Sequence, residues 1–390
     1  MIIMELIKLK IAKLETFRVK PRWLLLRLET DDGIVGWGEP IVEGRAKTTE
    51  AAVHELSEYI IGSDPRDVEN LWQTLYRGGF YRGGPVLTSA ISGIDQAVWD
   101  IKGKHLGIPV YEMLGGKVRD KMEVYSWIDS DTPEQAALSA KDKLNRGFRN
   151  IKMMGISNGG WINDYNEIDN LCEKLQAIRD TVGYGLGIAI DFHGRPRKAM
   201  AKVLLKEIEP FRILFVEEPV LIENEEAFAE LHAYTSIPLA TGERSYTRWG
   251  FKNMLQKGYV DIIQPDLSHA GGISEVRRIA AMAEAYDVSV APHCPLGPIA
   301  LASCLQVDFS TINACIQEQS LGMAYNQGNE MSKYINNPEV FQYSDGYVNL
   351  LKNPGLGIDV NEESVRDMSK IGHKWKNPIL RAEDRSIMEW

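Results

Sequence analysis

The chain has 390 residues and a mass of 43.9 kDa, which leaves room for two to three domains of about 150 residues each. Hydrophobic residues make up 44% of the chain and charged residues 25%, a globular composition that excludes a disordered or collagen-like protein. The net charge of −10 and the pI near 5.4 repel phosphate backbones. We therefore expect no nucleic-acid partner.

Cysteine usage and hydropathy predict the compartment. The four cysteines form no CxxC pair and no regular disulfide framework. No apolar stretch reaches the length of about 18 residues that a membrane-spanning helix needs. Residues 1–10 carry Glu5 and Lys8 within their apolar part, so we do not expect a signal peptide. These features together predict a reduced, cytoplasmic protein with no membrane partner.

The N-terminal third is predicted to be an α+β domain over residues 1–120. Three strand-like stretches come first, the last two joined by an Asp-Gly turn, at residues 11–18, 24–29 and 34–38. Helical spacing of apolar residues follows and is clearest over residues 88–103. Strands followed by helices without alternation are typical of the α+β class.

From residue 121 the pattern changes to short apolar runs, each followed by a helix-sized interval. The eight runs are residues 123–127, 150–154, 187–191, 213–217, 238–242, 260–264, 288–292 and 313–317. Their near-constant spacing predicts a (β/α)8 barrel over residues 121–320. A doubly wound open sheet is less favoured, because no glycine-rich dinucleotide motif follows the first run. Residues 321–390 show turns and short strands and are expected to pack back on the N-terminal domain.

Six successive barrel strands, the third to the eighth, end in an acid or a histidine. The residues at these ends are Asp191, His193, Glu217, Glu243, Asp266, His293 and Glu318. Because catalytic side chains of such barrels lie at the carboxyl ends of the strands, we expect all of them at one mouth. Any one acid alone would be explained equally well as a helix cap or an ion-pair partner. Six strand ends in register favour an active site.

The residue types assign provisional roles. Asp191, Glu217 and Glu243 come from neighbouring strands, and three carboxylates in one mouth need a cation, for which oxygen ligands favour Mg²⁺. Asp266 and His293 also come from neighbouring strands and form a candidate general base.

Three further residues complete the predicted site. His193 is a candidate general acid beside the metal-bound end of a substrate. Glu318 could hydrogen-bond a developing oxyanion if it is protonated. Lys152, at the end of the second strand, is a candidate contact for a substrate carboxylate.

The whole chain resembles the mandelate-racemase-like branch of the enolase superfamily. The motifs that carry the resemblance are GWGEP at residues 36–40, FYRGGP at 80–85, QPDLSHAGG at 264–272, APHCPLGP at 291–298 and EW at 389–390. The resemblance implies a barrel with an N-terminal capping domain, assembled as a homo-oligomer. It also implies an Mg²⁺-dependent dehydratase of a sugar acid, with galactonate as the first substrate and another aldonate such as gluconate as the second.

Carried over residue by residue, the resemblance makes Asp191, Glu217 and Glu243 the Mg²⁺ ligands. His293, assisted by Asp266, would remove the C2 proton. His193 would protonate the departing 3-hydroxyl, and Glu318 would stabilise the enediolate. The product would be a 2-keto-3-deoxy aldonate.

Two other functions remain open at this stage. One is epimerisation or racemisation of a hydroxy acid, with His193 and His293 as bases on opposite faces. Met154 argues only against the lysine version of that reaction, since racemases of this branch carry a second lysine there. The other is a sugar-acid-binding protein without catalysis, against which the six intact polar strand ends count.

Overall fold

The computed structural model describes residues 9–157, 159–162, 165–323, 325–326 and 330–390. Residues 1–8, on which the expectation of no signal peptide depends, lie outside the described residues. Among the described helices, none combines the length and the apolar character that a bilayer-crossing segment requires.

An antiparallel sheet comes first, as predicted. Its strands are β1 (Ile11–Val19), β2 (Trp23–Thr30) and β3 (Val35–Gly38), paired in that order. The turn between β2 and β3 contains Gly33, whose φ of 88° is a conformation that glycine adopts without strain.

Three helices follow the sheet: α1 (Ala46–Ser57), α2 (Val68–Arg77) and α3 (Pro85–Leu106). The third is longer than its predicted range. Pro85 occupies its first turn, and Gly107 ends it in the left-handed conformation. Its axis lies so close to β3 that a Cβ on Gly36 or Gly38 would collide with backbone carbonyl oxygens of α3.

The (β/α)8 prediction is confirmed. After α4 (Val110–Met113) and β4 (Lys121–Glu123), seven parallel strands pair in chain order. They are β5 (Tyr125–Trp127), β6 (Asn150–Met154), β7 (Gly187–Asp191), β8 (Phe215–Glu217), β9 (Leu239–Thr241), β10 (Ile262–Ile263) and β11 (Ser289–Val290). The eighth stretch, residues 313–317, closes the ring through two parallel bridges, Val290 with Ala314 and Val124 with Gln317.

Helices alternate with these strands on the outside of the barrel. They are α5 (Pro133–Asn145), α6 (Tyr165–Val182), α7 (Lys198–Ile208), α8 (Glu225–His232), α9 (Thr247–Lys257), α10 (Gly272–Glu284) and α11 (Pro298–Ser310). Large and small side chains share the barrel interior, with Tyr125 and Phe215 beside the alanines at 189, 240 and 291. This mixture fills the interior, so the chemistry is confined to the strand ends.

The C-terminal segment contains one helix that the sequence analysis missed. Strand β13 (Tyr347–Asn349) lies between β12 (Tyr343–Ser344) and β4 and pairs with both, and α12 (Glu362–Ile371) packs on β1. In α12 Val365 is the single buried residue and Met368, one turn later, packs half-buried against the core, so its apolar face is narrow and short. Short 3₁₀ turns lie at Glu209–Phe211, Glu330–Tyr334 and Pro338–Phe341.

Ion pairs attach α12 to the N-terminal sheet. Arg27 on β2 contacts Glu15, Glu29 and Glu362, with its Nε 3.1 Å from the Glu362 carboxylate. Arg366 on α12 contacts Glu15 at 2.9 Å. Its hydrogen bond lowers the pKa of Glu15 to about 2.

We expect Glu15→Gln to lower the free energy of unfolding by about 1 kcal/mol at neutral pH, a modest loss because the pair is partly solvated. The lowered pKa means that this contribution is complete above the unfolded value of 4.5 and is lost as the pH falls towards 2. Urea unfolding at about pH 7 and about pH 3.5 should therefore show a larger difference between variant and parent at the higher pH. Glu173→Gln, on an exposed position of α6, is the control. If Glu15→Gln lowered the free energy of unfolding equally at both pH values, the result would contradict the lowered pKa of Glu15.

Candidate active site

The parallel strands bring the predicted acids to one end of the barrel. Asp191 ends β7, Glu217 ends β8, and Glu243 follows β9 by two residues. Asp191 and Glu217 are almost completely buried. Burial of adjacent carboxylates is unfavourable unless cations lie beside them, and three cationic side chains do.

Lys152 is the central cation of this mouth. It lies on β6, is fully buried, and contacts the carboxylates of Glu217, Asp191 at 3.4 Å and Glu318 at 3.2 Å. The Tyr125 hydroxyl lies 3.3 Å from its Nζ. Lys152 was predicted to contact the substrate, and in the structure it is surrounded by three acids of the protein itself.

The contacts of Lys152 determine which of the buried groups around it carry a proton. Burial disfavours the charged lysine, but Glu217, Glu318 and Asp191 outweigh burial and hold the pKa of Lys152 well above its usual value. One lysine cannot neutralise all of these acids. Burial, together with the nearby charge of Asp191, therefore raises the pKa of Glu217 to about 8.

The donor set fits a hard divalent cation. Three carboxylates come from consecutive strands, and Glu217 Oε1 is buried without a hydrogen-bond donor among the described residues, whereas its Oε2 faces Lys152. Such orphaned anionic oxygens are what Mg²⁺ coordinates. As the side chains stand, however, no three His, Cys, Asp or Glu groups within the described chain meet in a metal-binding arrangement. The convergence of Asp191, Glu217 and Glu243 on one ion stays a prediction.

A histidine stands at each end of the carboxylate row. His193 Nε2 lies 3.1 Å from Asp191, and His293 Nε2 lies 3.0 Å from Glu243. Burial lowers the pKa of His193, but Asp191 outweighs this effect and raises it to about 9. Both outer carboxylates are thus paired with an imidazole.

Asp266 and His293 form the predicted dyad. His293 Nδ1 lies 2.8 Å from Asp266 Oδ2, while the other oxygen of Asp266 accepts a hydrogen bond from the Ser268 N–H at 2.7 Å. Burial opposes protonation of His293, but Glu243, Glu318 and Asp266 raise its pKa well above the ordinary value. A carboxylate faces each nitrogen, so this arrangement favours the protonated ring.

Glu318 occupies the strand-eight side of the mouth. Its Oε1 accepts a hydrogen bond from Trp127 Nε1 at 2.8 Å, and its Oε2 accepts one from the Cys294 N–H at 2.8 Å. Burial raises its pKa, yet Lys152, His293 and these donors outweigh burial and lower it. Glu318 is therefore ionised here, and the protonated form on which its predicted oxyanion role depends is disfavoured.

The structure adds residues that the sequence analysis did not assign to the site. Trp127 lies at the end of β5, but a search of strand ends for acids and histidines does not identify it. Glu39 accepts hydrogen bonds from Gly297 N and Ala300 N at the start of α11, close behind His293 in sequence. Trp390 stacks on His193. No local pattern could have indicated the last two contacts, since they join distant segments.

Comparison with known families agrees with this architecture. Residues 9–115 match the family described as mandelate racemase / muconate lactonizing enzyme, N-terminal domain. Residues 135–364 match the family described as enolase C-terminal domain-like. The two matches together cover the sheet-and-helix domain, most of the barrel and part of the C-terminal segment.

Individual relatives span almost the whole chain. A D-galactonate dehydratase of Ralstonia pickettii is 54% identical, and one of Pectobacterium atrosepticum 53%, each over 98% of this chain and 100% of the relative. Among solved structures, a mandelate racemase/muconate lactonizing enzyme from a Sulfitobacter species has a TM-score of 0.88 at 30% identity, covering 96% of this chain and 99% of its own. A Salmonella Typhimurium member of the enolase superfamily has a TM-score of 0.83 at 31% identity, covering 92% and 98%. The chain therefore belongs to the enolase superfamily, in the group of mandelate racemase and muconate lactonizing enzyme.

Proposed function

We propose that this enzyme dehydrates a sugar acid, D-galactonate in the first place, to the 2-keto-3-deoxy acid. The observation that carries the proposal is a row of three carboxylates with one histidine at each end, His193 beside Asp191 and His293 beside Glu243. Two relatives that are more than half identical over their full length are named D-galactonate dehydratase, which supports this choice of substrate.

Mg²⁺ is the cofactor that we propose, held by Asp191, Glu217 and Glu243. When bound, it would supply the positive charge that stabilises the negative charge developing on the substrate carboxylate. Lys152 and Glu318 then form the neighbouring wall of the mouth, where the ion pair between them fixes the orientation of both side chains.

His293 is the proposed base. Asp266 keeps the proton on Nδ1, so Nε2 is the nitrogen that accepts the C2 proton. In this arrangement Nε2 contacts Glu243, and Glu243 must leave it before His293 can act. Once the C–H bond breaks, its electron pair moves into the substrate carboxylate as an enediolate.

His193 is the proposed acid at the other end of the row. It donates a proton to the 3-hydroxyl oxygen as the C3–O bond breaks, and that bond's electron pair leaves with the oxygen as water. The electrons of the enediolate form the C2–C3 double bond, and the resulting enol tautomerises to the 2-keto acid. The two histidines therefore serve two separable steps.

Epimerisation is the second candidate, favoured by the same pair of histidines. Met154 lies opposite Asp191 in the β6–β7 register, and a thioether cannot act as a base there. Loss of water produces a ketone, whereas epimerisation inverts C2 and retains every hydroxyl, so the product distinguishes the two reactions.

The direct test is incubation with Mg²⁺ and a panel of aldonates that includes D-galactonate and gluconate. We expect semicarbazide-reactive 2-keto product from D-galactonate, loss of turnover after removal of the metal with EDTA, and recovery on adding Mg²⁺. Turnover of gluconate alone would move the assignment to another aldonate. The absence of 2-keto product from every acid, with inversion at C2, would replace dehydration by epimerisation.

Replacing the base gives a sharper result. We expect His293→Asn to abolish exchange of the substrate C2 proton with deuterium, since an amide cannot accept that proton, and to lower dehydration by at least about 10³-fold. His232→Asn is the matched control, because His232 also faces an aspartate, Asp261 at 3.4 Å, on the outside of the barrel. Exchange that survives in His293→Asn would show that another group is the base.

Lys152 is predicted to stabilise the mouth through charge. Lys152→Met should lower the free energy of unfolding in EDTA by about 3–5 kcal/mol, because it leaves buried acids without their central cation. Mg²⁺ should restore more stability to this variant than to the parent, as both cations neutralise the same carboxylates. Urea unfolding with and without Mg²⁺ measures both effects, with Lys174→Met on α6 as the control. If Mg²⁺ stabilised variant and parent equally, Lys152 and Mg²⁺ would not be neutralising the same carboxylates.

A further inference from the structure

Residues 380–390 form a hairpin that ends at the barrel mouth. Met388 N donates to Leu380 O at 3.0 Å, Ala382 N donates to Ser386 O at 3.0 Å, and an antiparallel bridge joins Arg381 to Ile387. Ile387 is 72% exposed, so this face of the hairpin gains little stability from apolar packing. Specific contacts at its end must therefore hold it in place.

Two such contacts connect the hairpin to the segment that follows β7. Glu389 lies 3.3 Å from the Arg197 guanidinium, just before α7 begins. Beside it, the Trp390 ring stacks on His193, with centroids 5.7 Å apart and ring planes 11° from parallel. This geometry is an offset stack of the kind that contributes specific orientation beyond simple burial.

The stacking contact with Trp390 fixes the orientation of the His193 ring, which its polar contacts alone do not fix. Its Nε2 faces Asp191 at 3.1 Å, but its Nδ1 is buried and has no hydrogen-bond partner among the described residues. A single polar contact anchors one edge of an imidazole and leaves rotation about that anchor open. The face of Trp390 removes this freedom. His293, in contrast, is held by carboxylates at both nitrogens.

We propose that Trp390 is a positioning residue for His193 and that residues 380–390 form a wall of the active site required for loss of the 3-hydroxyl. The inference rests on the proposed dehydration. It adds that the two half-reactions depend on different parts of the chain. Removal of the C2 proton depends on the Asp266–His293 dyad and not on the hairpin, whereas departure of the hydroxyl also depends on the hairpin.

The test compares two rates in the full-length enzyme with Mg²⁺ and D-galactonate: formation of the 2-keto product, and C2 proton exchange in deuterated water. We expect Trp390→Ala to lower the dehydration rate by about tenfold, the equivalent of a stacking contact of about 1.4 kcal/mol. The exchange rate should change by less than about twofold, since His293 is untouched. Trp390→Phe keeps an aromatic face and should recover most of the dehydration rate.

The matched control is Trp249→Ala. Trp249 is 45% exposed against 44% for Trp390 and also lies in a near-parallel stack, with Tyr76 at 5.1 Å. We expect neither rate to change. Equal loss of both rates in Trp390→Ala would mean that the hairpin acts only on stability, and a raised KM with an unchanged kcat would mean that Trp390 contacts substrate. Either result overturns the proposal.

A spectroscopic measurement keeps the proposal testable even if no aldonate is a substrate. The indole ring shields the imidazole protons beneath it, so the His193 resonance in histidine-labelled protein should move downfield in Trp390→Ala. The His293 resonance should stay in place, and His193→Asn assigns the signal. A His193 resonance unaffected by Trp390→Ala would overturn the stacking itself, whereas a failure to dehydrate any aldonate would overturn only the proposed reaction.

Discussion

The constraint on which this site depends is the burial of several carboxylates at the mouth of one barrel. Asp191, Glu217 and Glu318 are all within about 4 Å of a single lysine, and none of the four side chains has appreciable contact with solvent. Charges in such an environment are tolerated only as a balanced set. Lys152 is therefore the residue that allows the strands to carry their acids into the interior.

Charge balance also explains the pairing of the outer residues. Asp191 faces His193 and Glu243 faces His293, so each histidine is a counter-ion as well as a candidate catalyst. These contacts raise the pKa of both rings. A raised pKa suits a general acid, which must carry its proton before it reacts, and the pKa of His193 is already raised. The same pairing opposes the base role of His293, which needs a neutral Nε2. Withdrawal of Glu243 from that nitrogen is thus the change that would make the two histidines chemically different.

The sequence predicted the barrel and the dyad because both follow from local rules. Strands that recur at regular intervals predict a barrel, and polar residues at their ends predict a shared mouth, as the 2.8 Å contact between His293 and Asp266 illustrates. Strand limits were less accurate. The run at residues 260–264 forms only the two-residue strand Ile262–Ile263, although Asp261 N and Gln264 N on either side still donate to Leu239 O and Thr241 O of β9.

The missed features have a different physical origin. The helix α12 is only ten residues long and fully buries only Val365, with Met368 half-buried beside it. Its Asn361 cap and its ion pairs add stability that an apolar pattern does not reveal. The central place of Lys152 could not be derived from its own strand, since it results from acids on three others. Side-chain rotamers cannot be derived from the sequence either. They decide whether the three carboxylates converge on one ion or each face a separate cationic side chain.

Outside the barrel, two segments position the two ends of the site. Glu39, from the GWGEP motif after β3, accepts hydrogen bonds from Gly297 and Ala300 and so ties the loop after His293 to the N-terminal domain. Arg22 donates to Pro295 O in the same loop at 3.2 Å. On the other side, the hairpin carrying Trp390 covers His193. The barrel supplies the charges, while the N-terminal domain holds the loop that follows His293 and the hairpin contacts His193. Neither segment takes part in the ion pairs of Lys152, so a change in either one leaves the charge balance around that lysine intact.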